Sequence, residues 1–511
     1  MTRFPQVLTA STAIALVLPA AAFADLTAVE VWEDWKSYMT STGYAVTASE
    51  TSASGVLTAS DVSMSVALGE DAADGKVDVR MGEIVFTENS DGSVSIALSE
   101  VTAFDITIAP EEDADEIELT MTSTQTAPVM TATGAVGDVT YDYTAAQVDV
   151  ALDGVEVSGV ILTDEIARMS MVASDVAYTM SNQVGDVRTL SQTMSASALT
   201  YDVFFEDPKG DGTFKMTGAM EGLSFEGSGD LPMDVDMQDL NAMLDGGFAF
   251  DGTFTSTKGG YDLTFNGPDG GGTINTASDG GTLRVAMAPG GLTYDVAQRG
   301  VNLNMLMTEL PLPISLTAAE VSTNLLVPLQ KSDEEQEFGL AIGFDEFTMS
   351  DALWGLFDAA GQLPRDPATL IVDLSGKAKV LFDFLDPEQA AVLEQSDTAP
   401  GELNALTLNA LELDALGAKL TGAGDFVFDN SDLVTFDGLP RPKGAVNLSL
   451  VGGNGLLDKL VAMGLVPEDQ AMGTRMMMGL FAVPGEGEDT LKSKIEVNDE
   501  GHVLANGQRL R

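Results

Sequence analysis

The sequence predicts a mainly β protein: an elongated, twisted antiparallel sheet, trough or sandwich, with an N-terminal helix and short C-terminal helices. Three observations carry that reading. Apolar and polar residues alternate with period two through most of the 511 residues, the pattern of strands with one sheltered face. Turn pairs such as Asp91-Gly92 and Asp153-Gly154 separate the runs, as short hairpins require. Helical spacing is confined to one segment near the start and a few near the end.

The first 24 residues read as a secretory leader. Arg3 precedes an apolar stretch from Val7 to Leu18, and Ala22 and Ala24 set a cleavage site before Asp25; the run is too short for a spanning helix and contains Pro19. The expected mature chain is periplasmic and carries no transmembrane helix.

Residues 25–43 then form an amphipathic helix. Thr27 and Glu30 make a capping box, Val31, Trp32, Trp35, Tyr38 and Met39 gather near one side, and Gly43 ends it. Glu30, Glu33 and Asp34 oppose a membrane-surface role, so the tryptophans are expected to dock on the first strands.

Residues 44–348 read as a meander of strands. In "DVSMSVALGE", Val62, Met64, Val66 and Leu68 share a face. Val94, Ile96 and Leu98 repeat the pattern, followed by Ile106 and Ile108. These nine residues are the candidate apolar binding face. Turns "DPKGDG" (207–212) and "GPDGGG" (267–272) lack the ligand pattern of a calcium loop, because Lys209 takes the place of an oxygen donor and Gly218 stands where a closing glutamate belongs. The acidic runs 111–116 and 333–337 read as solvated loops.

Residues 349–511 form a C-terminal β region with short helices. Ser350 caps a helix expected to stop at Gly361, a second helix ends at Gly464, a third covers about Glu468 to Ala482, and a hairpin closes the chain. Met476, Met477 and Met478 are expected to fill core space rather than bind metal. The segments Gly361–Asp366 and Gly464–Asp469 share glycine, proline and acid at one spacing, which fits duplication and ordinary helix punctuation equally.

Composition bounds the function. With 79 acidic against 24 basic residues the net charge is −55, which disfavours nucleic acid and anionic head groups and suits an acidic, solvated surface. There is no cysteine, so disulfides and thiolate sites are excluded, and the single histidine, His502, lies beside a terminal turn. Nucleophile-elbow, phosphate-loop, dinucleotide and zinc-protease motifs are all missing from the sequence. No catalytic residue, metal ligand or cofactor is assigned.

The leader, the helix ending in "GYAV", the meander, and the run "LTLNALELDALGAKLTGAGDFVF…GAVNLSLVGGNGLLDKLVAMGLVP…GHVLANGQRL" resemble the exported alphaproteobacterial domain-of-unknown-function family 2125, with a texture similar to AsmA-like proteins. That resemblance implies a long apolar trough linked to lipid movement and outer-membrane upkeep, without a reaction; a retained membrane helix, found in AsmA-like proteins, is missing from this chain. The expected function is a non-enzymatic envelope protein handling a lipid or another apolar ligand, with envelope proteins as further partners. The alternative is a scaffold whose sheets pack wholly on themselves.

Overall fold

The computed structural model describes residues 25–67, 75–108, 116–207, 210, 212–233, 235, 239–310, 312–386, 389, 393 and 399–511. The expected leader (residues 1–24), Leu68, most of the acidic run 111–116 and three residues of the "DPKGDG" turn lie outside them. Among the described residues the chain is mainly β: 27 strands join one antiparallel sheet, with five helices.

The strand pairings make that sheet a simple meander. Each rung pairs with the rungs before and after it in the chain, from Ala45–Ala53 at one edge to the hairpin of Val503–Ala505 and Gln508–Arg509 at the other. Several rungs are broken into two collinear strands, such as Val94–Ala97 with Val101–Ile108, and Ala249–Ser256 with Lys258–Gly267.

These breaks fall on a single line. The register slips at Ala48 opposite Asp61, and again between Ala59 and Val62 opposite Gly82. Farther on, Asp175, Ser197, Gly222 and Thr257 each skip a pairing beside the skip of the neighbouring rung. The line continues through Gly280, Gly300 and Ala319 to Glu346. Asp61, Gly82, Ala127, Asp175, Gly222, Gly280, Gly300 and Glu346 all have positive φ on this line, the signature of residues pushed out of a ladder by a bulge. A transverse crease therefore crosses the sheet from its first strand to about Thr369.

A one-residue bulge reverses the side to which later residues of a strand point. The sequence compensates on rung after rung. Leu57 and Ala59 are followed by Val62 and Met64, and burial marks those four positions of the strand Val56–Ala67. Likewise Met169, Met171 and Ala173 give way to Val176, Tyr178 and Met180, and Tyr294 and Val296 to Val301, Leu303 and Met305. The apolar residues thus stay on one face on both sides of the crease.

Helix α1 (Ala28–Ser41) covers part of that face. Its capping box forms as expected, with Thr27 and Glu30 bonding each other's backbone. Val31 and Trp32 are fully buried in a core with Leu57, Ile84, Phe86, Val94, Val139 and Tyr141. Trp32 stacks on Trp35 at 5.3 Å and donates from Nε1 to Glu50 at 2.7 Å. Burying an aromatic of this size contributes roughly 3 kcal/mol.

The remaining helices are α2 (Leu240–Asp245), α3 (Asp351–Trp354), α4 (Gly453–Ala462) and α5 (Glu468–Phe481). Two expectations need correcting here. The helix after Ser350 is a single turn that stops at Trp354 rather than Gly361, and the Ser350 side chain makes no cap bond; the chain leaves it through a loop pinned by Asp358, whose carboxylate accepts from the backbone of Gln362 and Leu363. The methionines of α5 do not fill a core: Met476 is 74 % exposed and Met477 is exposed as well, because α5 rests mainly on α4 and only Ala471 is buried.

Candidate apolar groove

The groove is built from the apolar face beyond the reach of α1. Register places Tyr294, Leu325, Leu340, Leu374 and Leu408 opposite one another on successive strands, and the row continues through Gly424 to Val446 and Ile495. Val285, Met287, Leu292 and Val327 extend the same face. These side chains are half-buried, and Leu340 is 37 % exposed. Between residues 245 and 450 few described apolar side chains are buried, among them Ala318, Pro328, Trp354, Leu363 and Val380.

Glycines keep this face shallow. A Cβ on Gly376 would lie 2.3 Å from the Phe338 ring, and one on Gly218 would lie 2.4 Å from the Tyr201 ring. The rings therefore lie flat across the neighbouring strand, where any larger residue would lift them.

Where the crease passes under the C-terminal half of α1, the face deepens into a cavity of about 520 Å³. Trp35 roofs it, and its walls come from both sides of the crease: Met130, Tyr143, Tyr178 and Met194 from one, Val148, Ala173 and Leu199 from the other. A second depression of about 320 Å³ continues past Thr42 along Leu190, Phe225 and Phe250. A larger one, about 800 Å³, surrounds Arg284; that guanidinium is already bonded to Asp251 and Asp295, so its charge is used within the sheet.

The nine residues of the sequence-derived face divide between three settings. Val62, Val94 and Ile96 are sealed in the core under α1. Leu98 lines the 520 Å³ cavity. Met64, Val66 and Ile106 sit beyond the crease, where Val66 and Ile106 both pair with Val77, while Ile108 is exposed at the strand end. Leu68 lies outside the described residues.

A buried polar group that sequence reasoning missed locks α1 to the sheet. Asp34 accepts from Tyr141 Oη at 2.7 Å and from Asn182 Nδ2 at 3.0 Å; Asn182 Oδ1 accepts from Arg188 Nη1 at 3.0 Å. Arg188 also donates to Ser37 Oγ at 2.8 Å and lies over the Tyr38 ring. Arg188 and Asn182 have no exposed surface. Burial lowers the Arg188 pKa, and burial together with the Asp34 charge pushes the Tyr141 phenol far up. The sequence signal was faint: an Asn and an Arg on inward-facing positions of adjoining strands.

A family model described as an uncharacterized protein conserved in bacteria (DUF2125) matches residues 249–507. That span holds most of the open groove; the 520 Å³ cavity precedes it. No curated protein matches the chain. Among solved structures, BauA, the ferric preacinetobactin receptor from Acinetobacter baumannii, is similar at 9 % identity and a TM-score of 0.16, covering 91 % of this chain and 79 % of that one. A likeness that slight carries no argument. No described helix is long and apolar enough to cross a membrane.

Proposed function

We propose that this chain, which belongs to the DUF2125 family of uncharacterized bacterial proteins, is a non-enzymatic envelope protein that holds a lipid or another apolar ligand along its sheet. One observation carries the reading: a continuous apolar face stays half-exposed over some two hundred residues, with no second layer over it among the described residues. Soluble proteins rarely leave contiguous apolar surface beyond a few hundred Å² open unless something binds there. The leader-like residues 1–24 support export to the periplasm, and the groove supports the likeness to AsmA-like troughs and a part in outer-membrane upkeep. The acidic surface favours a ligand whose polar end is uncharged or bridged by cations.

The second reading, a self-packed scaffold, draws on the core under α1, where the same face is fully covered. Mass spectrometry of the mature chain purified without detergent separates them. Co-purifying lipid in near-stoichiometric amount is the expected result; a ligand-free protein that stays monodisperse and binds no added lipid would overturn the proposal.

A further inference from the structure

The cavity beneath Trp35 has a more specific chemistry than the open groove. Its lining contains no Asp, Glu, Lys or Arg. Asp34, next to Trp35 in the chain, and Arg188 are both engaged in the network that locks α1. The polar groups that do face it are neutral. Ser123 is 8 % exposed and has no side-chain hydrogen-bond partner among the described residues. Tyr143 Oη donates to Gln125 Oε1 at 2.5 Å, which leaves the Gln125 amide hydrogens unpartnered among the described residues. Tyr143 and Tyr178 are held protonated, because burial raises both phenols, Tyr178 to about 12.

The Ser123 hydroxyl and the Gln125 amide, both still reached by solvent, keep hydrogen-bonding capacity that a guest can take up. The rest of the wall is aliphatic or aromatic, with Met81, Met130 and Met194 supplying side chains that adapt to an irregular occupant. The volume of about 520 Å³ falls within the ~300–1,000 Å³ of small-ligand sites and suits one long hydrocarbon chain. Charge selects further: an ionised head would be buried without a counter-ion.

We propose that this cavity takes a single-chain, uncharged lipid of the monoacylglycerol or fatty-alcohol class, its chain beneath Trp35 and its hydroxyl end at Ser123 and Gln125. The assignment rests on the apolar-ligand reading above and narrows it to one site and one ligand class.

The test uses the full mature chain with brominated monostearoylglycerol and brominated stearate at mildly alkaline pH. The neutral probe is expected to quench tryptophan emission, and Trp35→Phe to remove most of that quenching while calorimetric binding persists. Shortening the chain by two methylenes is expected to weaken binding about tenfold. Ser123→Ala with Gln125→Leu is expected to weaken the monoacylglycerol about three- to tenfold, and Leu199→Trp, which fills the cavity, to abolish binding. Equal or tighter binding of the carboxylate, or quenching that survives Trp35→Phe, would overturn the assignment. If Leu199→Trp folds and still co-purifies with lipid, this site is wrong while the general reading stands; if it does not fold, the Trp35 and Ser123/Gln125 variants decide.

Discussion

Two parts of one apolar face meet different fates. In the first rungs, α1 lies on it, Trp32 is wholly buried, and Asp34, Tyr141, Asn182 and Arg188 tie helix to sheet from inside. From Ala249 to Val451 the face has the same alternation and the same inward leucines, valines and phenylalanines, yet nearly every one of them keeps some contact with solvent. Strand pattern is thus indifferent to whether a face is closed. What differs is a single helix, and beyond its end the face is left to whatever binds it.

Substitutions should separate the two parts sharply. The largest effect is expected from Asp34→Ala, which leaves Arg188 buried without its acidic counterpart and should cost ~3–5 kcal/mol in denaturant unfolding. Leu374→Ser on the open face should cost less than ~1 kcal/mol in lipid-free protein. If the two costs were alike, the open face would be packed in solution and the contrast would fail.

A smaller effect is expected at the crease, which both parts share. Gly222 has φ 56°, and a Cβ there would lie 2.5 Å from Thr257 Oγ1. Gly222→Val should therefore destabilise by ~1–3 kcal/mol, while Asp175→Gly, at φ 49°, should stabilise by up to ~1 kcal/mol through relief of left-handed strain. Opposite signs at two points of one line would establish that the crease is built by backbone conformation; equal signs would assign it to side-chain packing.

The smallest effect is alkaline. The Tyr141 phenol is held neutral well above its ordinary value of 10.0 by burial and by Asp34. The unfolded chain ionises first, so stability present below pH 10 should fall as pH rises past it. A melting series should show a shallower alkaline decline in Tyr141→Phe than in the parent chain; identical slopes would place the titrating group outside the α1 core.

Much of this was legible in residues alone. The sheet, most of its turns and α1 with its capping box follow from spacing and turn chemistry, which act over a few neighbouring residues; Asp153-Gly154, read as a turn, instead lies within the strand Asp138–Val157 at a shift of register. The crease was also legible and went unread: the move from Leu57 and Ala59 to Val62 and Met64 is a one-residue change of phase, and it recurs from strand to strand. The nine-residue face was chosen by alternation, which places residues on one side of a sheet without saying what lies above it, so core residues such as Val94 and cavity residues such as Leu98 were grouped together.

What the sequence by itself determined is the alternation, the bulge positions and the side on which apolar residues fall, since each depends on backbone geometry within one strand. Which stretch α1 covers, that Asp34 reaches Asn182 across 148 positions, and that Trp35 roofs a cavity with an unpartnered Ser123 were decided only by tertiary structure. Those are contacts between segments far apart in the chain, and no local rule of spacing fixes where a helix comes to rest.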